Sequence, residues 1–231
     1  MKQANRDGVP VAFAEGRTLI KPVMRSGSDP KENPANSPAR NSNLTAARLI
    51  EAAAAEFRQH GFFGTDTNKI ARRAGFAPQT FYRWFKDKTA IFLAVYRAWE
   101  EEERALLGRL LAEKASAARL VDAIVEHHRR FRIFRRSLRQ LTVDDPVVRR
   151  ARAESRTRQI ARIRASLGAA APEAAEVATM LFQIERLCDG IADDEFADLS
   201  FSEKAPRATI AELLDRIRRR SPPSAAFRTS N

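Results

Sequence analysis

From Leu44 to Ile217 the apolar residues return every three or four positions, and the chain reads as helix throughout that stretch. Leu44, Ala47, Ile50, Ala53, Ala54 and Phe57 show the pattern, one stripe along one face of a helix. The longest apolar runs, such as Ala90 to Val95, fall far below the roughly 20 residues a bilayer span needs. A hydrophobic content of 44% excludes a wholly disordered chain. The expectation is therefore an all-α, soluble globular protein of one or two domains. Cys188 stands alone, so no intramolecular disulfide and no CxxC zinc site is available, which fits a reducing compartment. With three His and one Cys, neither a metal nor a cofactor is expected.

The ends read differently. Residues 1–43 lack a sustained hydrophobic period and carry Pro10, Pro22, Pro30, Pro34 and Pro38, so a disordered basic tail is expected there. Val9 to Ala14 is too short an apolar core for a signal peptide and is interrupted by Pro10, and Met24 offers a second possible start. Residues 221–231, with Pro222 and Pro223, read as a loose C-terminal tail. The formal net charge is +12, and most of it lies in the middle: residues 104–168 carry 17 basic and 6 acidic side chains. An excess of this kind suits a polyanion, although scattered solvated arginines produce the same total.

The sharpest local signal lies between 44 and 88. Gly61 stops the first helix; Asp66 is placed to cap a second, Thr67 to Ala74; and Gly75 can take the left-handed conformation that ends it. Pro78 then opens a third, Pro78 to Phe85. On that short helix Phe81 and Phe85 share one side, while Gln79 and Arg83 share the other, with Thr80 and Tyr82 at the flanks and Lys86 nearby. Two short helices joined by a tight Gly turn let the second enter a major groove while the first rests on phosphates. Arg83 carries the donor fork that matches guanine O6 and N7, and Gln79 can read adenine or a neighbouring base. A solvated helix face is the bland alternative for both.

These residues resemble a known family. The stretch Leu44 to Val95 contains AAxxxFxxxGFxxT, IAxxAGF and TFYRWFKDK in order, and is similar to the DNA-binding domain of tetracycline-repressor (TetR) type regulators. The resemblance implies base-edge positions at Asn68, Gln79 and Thr80, and phosphate contacts at Tyr82, Trp84 and Lys88. It also implies an all-helical second domain that dimerises and binds a small molecule. Two departures stand out. Ala77 replaces the usual Ser or Thr, losing a capping hydroxyl typically worth about 1 kcal/mol, and Thr89-Ala90 replaces an acidic pair.

For residues 89–220 the expectation is a helical effector-binding and dimerisation domain. Lys88 to about Glu113 reads as one long helix, with Glu100 to Glu103 as a four-carboxylate block read as a solvated turn; Leu120 to Leu141 reads as a second. Within the latter, His128 falls into the apolar stripe and His127 is expected to be exposed. Asp145-Pro146 supplies a cap and first-turn Pro for a third helix ending at Gly168. Trp99, His128 and Phe131 are candidate ligand-cavity residues from helix position alone; for His128 the bland alternative is a hydrogen-bonded core histidine. The arginines of the second and third helices are read as solvated faces, with an anion pocket or DNA contact as rivals. Val177, Leu181, Ile184, Cys188 and Ile191, with Leu213 and Ile217 on a last helix, form a seam that wants a partner. An intrachain core is one reading; the resemblance implies a two-fold four-helix bundle, hence a homodimer. Cys188 there reads as a small buried hydrophobe. The cluster Asp189, Asp193, Asp194, Glu195 and Asp198 lacks metal-loop spacing and reads as a solvated end or a partner for the arginines.

The leading expectation is a homodimeric, ligand-responsive repressor binding a palindromic double-stranded DNA operator, cytoplasmic and nucleoid-associated, with an unknown small-molecule effector and no membrane partner. A non-specific nucleic-acid binder acting through the Arg-rich helices is the alternative. No catalytic residues are expected: there is no glycine-rich phosphate loop, GxSxG or HExxH.

Overall fold

A computed structural model describes residues 38–218, and the described residues form helices, turns and loops without a strand. The chain divides at Leu106/Leu107 into two compact units. The division falls inside a helix rather than at residue 88, because the start of that helix packs with the first unit's aromatic core.

The first unit is built on α1 (Pro38–His60), α2 (Thr67–Arg73), α3 (Pro78–Trp84) and the first part of α4 (Lys88–Ala112). Helix α1 begins earlier than Leu44, at a proline whose fixed φ suits a first helical position, so residues 38–43 are helical where a disordered tail was expected. The remainder of that tail, and residues 221–231, lie outside the described residues. The expected punctuation is otherwise in place. Gly61 and Gly75 take positive φ, 69° and 76°. The Asp66 carboxylate accepts the Lys69 amide at 2.8 Å, while Ala77 offers α3 no side-chain cap and Pro78 occupies its first turn. Asp66→Ala should therefore cost the first unit about 1 kcal/mol, read as an earlier thermal transition; Asp66→Asn, which keeps the acceptor, should restore most of it.

Leu49, Ala53, Phe57, Ile70, Ala71, Phe81, Ile91 and Phe92 are fully buried. Phe57 meets Phe92 edge-on at 5.2 Å, and Phe62 meets Phe92 the same way at 5.3 Å, tying α1 and its following turn to α4. Glu100 to Glu103 continue α4 as helix instead of forming a solvated turn, and Glu101 pairs with Arg104 one turn on.

The second unit contains α5 (Ala117–Arg130), α6 (Arg132–Asp144), α7 (Pro146–Leu167), α8 (Ala174–Ala192), a single turn α9 (Glu195–Asp198) and α10 (Lys204–Arg218). Its core is the contact of α5, α8 and α10 through Val121, Ile124, Val177, Ile184, Cys188 and Ile210, among others. Asp145 caps α7 through the amides of Val147 and Val148, and Gly168 closes it at φ 64°.

One expected helix is two. The stretch read as Leu120 to Leu141 breaks at Phe131, whose φ of −110° and ψ of 16° lie outside the helical basin. The Phe131 amide is shared between the carbonyls of His127 and His128, the tightened geometry of a helix end. Phe131 and His127 are both buried, with ring centroids 4.9 Å apart, so His127 is a core residue rather than the exposed one expected. No glycine or proline marks the break, because a buried aromatic side chain holds it.

Candidate nucleic-acid interface

Helices α2 and α3 carry the polar residues singled out from sequence. Asn68, Gln79, Tyr82 and Arg83 are exposed, Thr80 and Trp84 half-buried. Phe81 is buried beneath them, fixing which side of α3 points outward. The Tyr82 hydroxyl lies 3.0 Å from the Thr67 hydroxyl, so the C-terminal half of α3 is tied to the first residue of α2 while the Tyr82 ring stays 58% exposed. Lys69, Arg72 and Lys86 are exposed as well and make the surface basic. The first two were not singled out from sequence, although their position beside Asn68 on α2 was signal enough.

Lys88 occupies a different place from a simple phosphate ligand. Its ammonium donates to the carbonyls of Phe62 at 2.7 Å and Thr65 at 2.9 Å, and sits 4.2 Å from the centre of the Phe62 ring. Burial lowers its pKa, and Asp66 acts in the opposite direction. Any phosphate contact must share this ammonium with two carbonyls. Its evident work is to fasten the α1–α2 connection to the start of α4. Behind the surface, the buried Glu56 carboxylate accepts from Thr65 at 2.8 Å and from Arg73 at 2.9 Å. Burial raises the pKa of Glu56, but those two hydrogen bonds and the Arg73 charge outweigh it and hold the group below its ordinary value. A rigid base thus supports two short helices that would be marginal alone.

In the second unit the acidic cluster meets the arginines. Arg135, 2% exposed, donates to Asp189 at 2.6 Å and to Glu185 at 2.6 Å. Asp189 also takes Arg139 at 2.8 Å and His128 Nδ1 at 2.9 Å; an ionised carboxylate only accepts, so the ring nitrogen donates. Glu185 takes Arg152 and Arg156 in addition, and Asp193 takes Arg136 and Arg139. Burial would raise the Glu185 carboxyl, but Arg135, Arg152 and Arg156 hold it down at about 2, and Asp189 is likewise held well below the carboxylate range by His128 and Arg135 against its burial. His128 is therefore the hydrogen-bonded core histidine, its partner a carboxylate. Of these arginines, read from sequence as solvated, Arg135, Arg152 and Arg156 are inward-facing ion-pair partners, while Arg139 and Arg136 pair nearer the surface.

Beside this network, α6, α7 and α8 enclose a cleft of about 370 Å³. Trp99, His128 and Phe131 are not in its walls: Trp99 stacks on Tyr96 at 6.2 Å in the first unit, and the other two are buried as described. Of the expected dimer seam, Val177, Ile184, Cys188, Ile191, Leu213 and Ile217 are buried in the chain's own core, and Leu181 packs half-buried at its edge. The seam found its partner in α5, a helix whose buried face, Val121, Ile124 and Val125, supplies the missing wall.

Three packed helices, the last two short and joined by a glycine turn with a polar, basic outer face, define a helix-turn-helix DNA-binding domain. Residues 49–95 match the model of the bacterial regulatory proteins of the tetR family, and the chain carries that family's DNA-binding domain. Over 66 residues it is 38% identical to the uncharacterized HTH-type transcriptional regulator YdgC of Bacillus subtilis (strain 168), 29% of this chain and 34% of that protein. Over 57 residues it is 39% identical to the HTH-type transcriptional repressor SCO4008 of Streptomyces coelicolor, 25% of this chain and 30% of that one. The chain thus spans about a third of the length of these relatives. Its fold is similar to that of a protein from Rhodococcus sp. assigned to the TetR family of transcriptional regulators: TM-score 0.58, 16% identity, 75% of this chain and 98% of the other. It is also similar to a transcriptional regulator from Rhodococcus sp. Rha1: TM-score 0.53, 19% identity, 74% of this chain and 95% of the other. At such identities the likeness establishes the fold. All four are named as transcriptional regulators or a repressor, and among the described residues no helix is long and apolar enough to cross a membrane.

Proposed function

We propose that the chain is a ligand-responsive transcriptional repressor that binds a two-fold-symmetric operator as a homodimer, one α3 in the major groove of each half-site. The observation that carries this reading is the outward row of Gln79 and Arg83 on a helix whose opposite side is anchored by buried Phe81. Asn68 and Thr80 complete the base-facing set, while Tyr82, Trp84, Lys69 and Arg72 serve phosphates, supplying affinity and salt dependence without sequence information. SCO4008 is named a repressor, and that designation is extended to this chain on the similarity of the DNA-binding domain.

Dimerisation is assigned to α8 and α10, which pack on each other in the second unit. Because their inner faces are spent on α5, a two-fold mate would meet their outer faces, where Thr179, Gln183, Thr209 and Glu212 are exposed. The non-specific alternative is not favoured: Arg135, Arg139, Arg152 and Arg156 are committed to Glu185, Asp189 and Asp193, which leaves exposed arginines such as Arg150, Arg158 and Arg162 to carry it.

Selection of bound sites from a random duplex pool tests the reading. A two-fold-symmetric motif should emerge. Arg83→Ala should bind it more weakly by about 1–3 kcal/mol and relax preference at one position per half-site. A pool that stays unenriched while binding tightly at low salt would remove the specific-regulator reading, and a monomer by sedimentation on and off the operator would remove the dimer.

A further inference from the structure

The cleft between α6, α7 and α8 has a chemistry of its own. Four arginines line it from α6 and α7, Arg139, Arg149, Arg152 and Arg156, and α8 adds Arg186; Glu185 and Asp189 stand among them. The lining residues together carry a formal excess of three positive charges. Adding Arg135, Arg136, Asp193 and Glu195, which pair with wall residues or with their partners, leaves that excess unchanged. Both wall carboxylates are saturated: Asp189 already accepts from Arg135, Arg139 and His128, and Glu185 from Arg135, Arg152 and Arg156.

Arg149 is held differently. Its Nε donates to the Thr142 carbonyl at 3.1 Å and its Nη2 to the Val143 carbonyl at 2.5 Å, the last turn of α6. Neutral carbonyls orient its guanidinium without cancelling its charge. One further wall is apolar: Phe182 is 58% exposed, with the Arg156 guanidinium 5.3 Å above its ring. A largely exposed aromatic ring beside an excess of arginines, in a cleft within the size range of small-molecule sites, suits a flat or acyl body bearing one negative charge.

We propose that this cleft binds a small organic carboxylate, its apolar body on Phe182 and its carboxylate on the Arg149 side of the arginine cluster. The assignment rests on the ligand-responsive reading above and names the class of that ligand. The neighbouring cations would favour a carboxylate over its neutral analogue, and the aromatic wall would favour it over an inorganic anion. The carboxylate's competitors, Glu185 and Asp189, are already engaged by Arg135, Arg139, Arg152, Arg156 and His128, which leaves Arg149 to the ligand.

Calorimetric titration of the full chain, without DNA, tests this with benzoate, 2-naphthoate and octanoate, each beside its neutral alcohol, and with inorganic phosphate. At least one carboxylate should bind about tenfold or more tightly than its alcohol, and weaken as salt rises. Arg149→Gln should abolish the preference for the carboxylate over the alcohol, whereas Phe182→Ala should weaken both. Phe182 is largely exposed, so its variant should fold even if removal of the Arg149 contacts frays α6. Absence of binding by all three carboxylates, equal binding of acid and alcohol, or phosphate binding as tightly as the best carboxylate would each overturn the proposal. Operator release is measured separately on the selected duplex. A carboxylate that binds the cleft but leaves the operator complex intact would uphold this site and count against the ligand-responsive reading.

Discussion

Asp189→Ala is expected to destabilise the second unit by about 3–5 kcal/mol. Asp189 is 2% exposed and receives Arg135, Arg139 and His128. Removing it strands the Arg135 guanidinium, also 2% exposed, with Glu185 as its remaining carboxylate. An uncompensated buried charge is far costlier than a lost surface pair, whose worth is below about 1 kcal/mol. The effect should appear in denaturant titrations followed by far-ultraviolet circular dichroism, and as faster amide exchange in α5, α6 and α8. Asp189→Asn should fall between, keeping the acceptor oxygen but not the charge. A loss under about 1 kcal/mol for the alanine variant would mean that water reaches the site and that the network contributes no more than a surface ion pair.

The same network sets a pH dependence. The folded pKa of Glu185, about 2, is below its ordinary 4.5, so its contribution is fully present above pH 4.5 and disappears as pH falls through about 2. A shift of this size is worth roughly 3 kcal/mol. Asp189 is shifted in the same direction and adds to acid lability over the same side of the curve. Stability of the second unit should therefore hold level from neutral pH down to about 4.5 and decline below it.

Phe57→Ala should cost the first unit about 3–5 kcal/mol. Phe57 is fully buried, stacks near Phe62 at 6.1 Å and meets Phe92 edge-on at 5.2 Å. Truncation removes the ring area, the aromatic contacts and the filling of the space between α1 and α4 together. Trp84 and Trp99, the chain's two tryptophans, both lie in the first unit, so intrinsic fluorescence reports this loss selectively. DNA binding should fall with the folded fraction of that unit. An unchanged fluorescence midpoint would show that the surrounding phenylalanines collapse into the vacated space.

Much of the first unit was legible because its signals are local. A cap three residues before an amide, a glycine where φ must be positive, a proline at a first turn: each acts within one helical turn, and the sequence carries both partners side by side. The outward face of α3 was legible for the same reason, since Phe81 and Arg83 are two residues apart on a helix of known pitch. Lys88 shows the limit. Its partners are carbonyls at Phe62 and Thr65, and carbonyls are present at every position, so no residue identity announces them.

The second unit was legible in composition but not in pairing. The arginine excess of residues 104–168 and the acidic cluster near Asp189 are both plain in the sequence, as is the apolar seam of α8. Which arginine meets which acid is settled across separations such as that of Arg135 from Asp189, where no periodicity reaches. The break at Phe131 lacks a glycine or proline because it is stabilised by burial of the Phe131 and His127 rings, a property of the packed state. It redirects α6, and with it Arg135 and Arg139, toward α8.

The sequence alone determined the helical class, the caps and turns of the first unit and the side of α3 that faces outward, because helix periodicity and capping are short-range. Tertiary structure decided that α5 closes the α8 seam, that the arginines turn inward onto two carboxylates, and that an arginine-lined cleft with an aromatic wall remains beside them. Those outcomes depend on desolvation and on charges distant in sequence, which acquire their strength only when packing has excluded water.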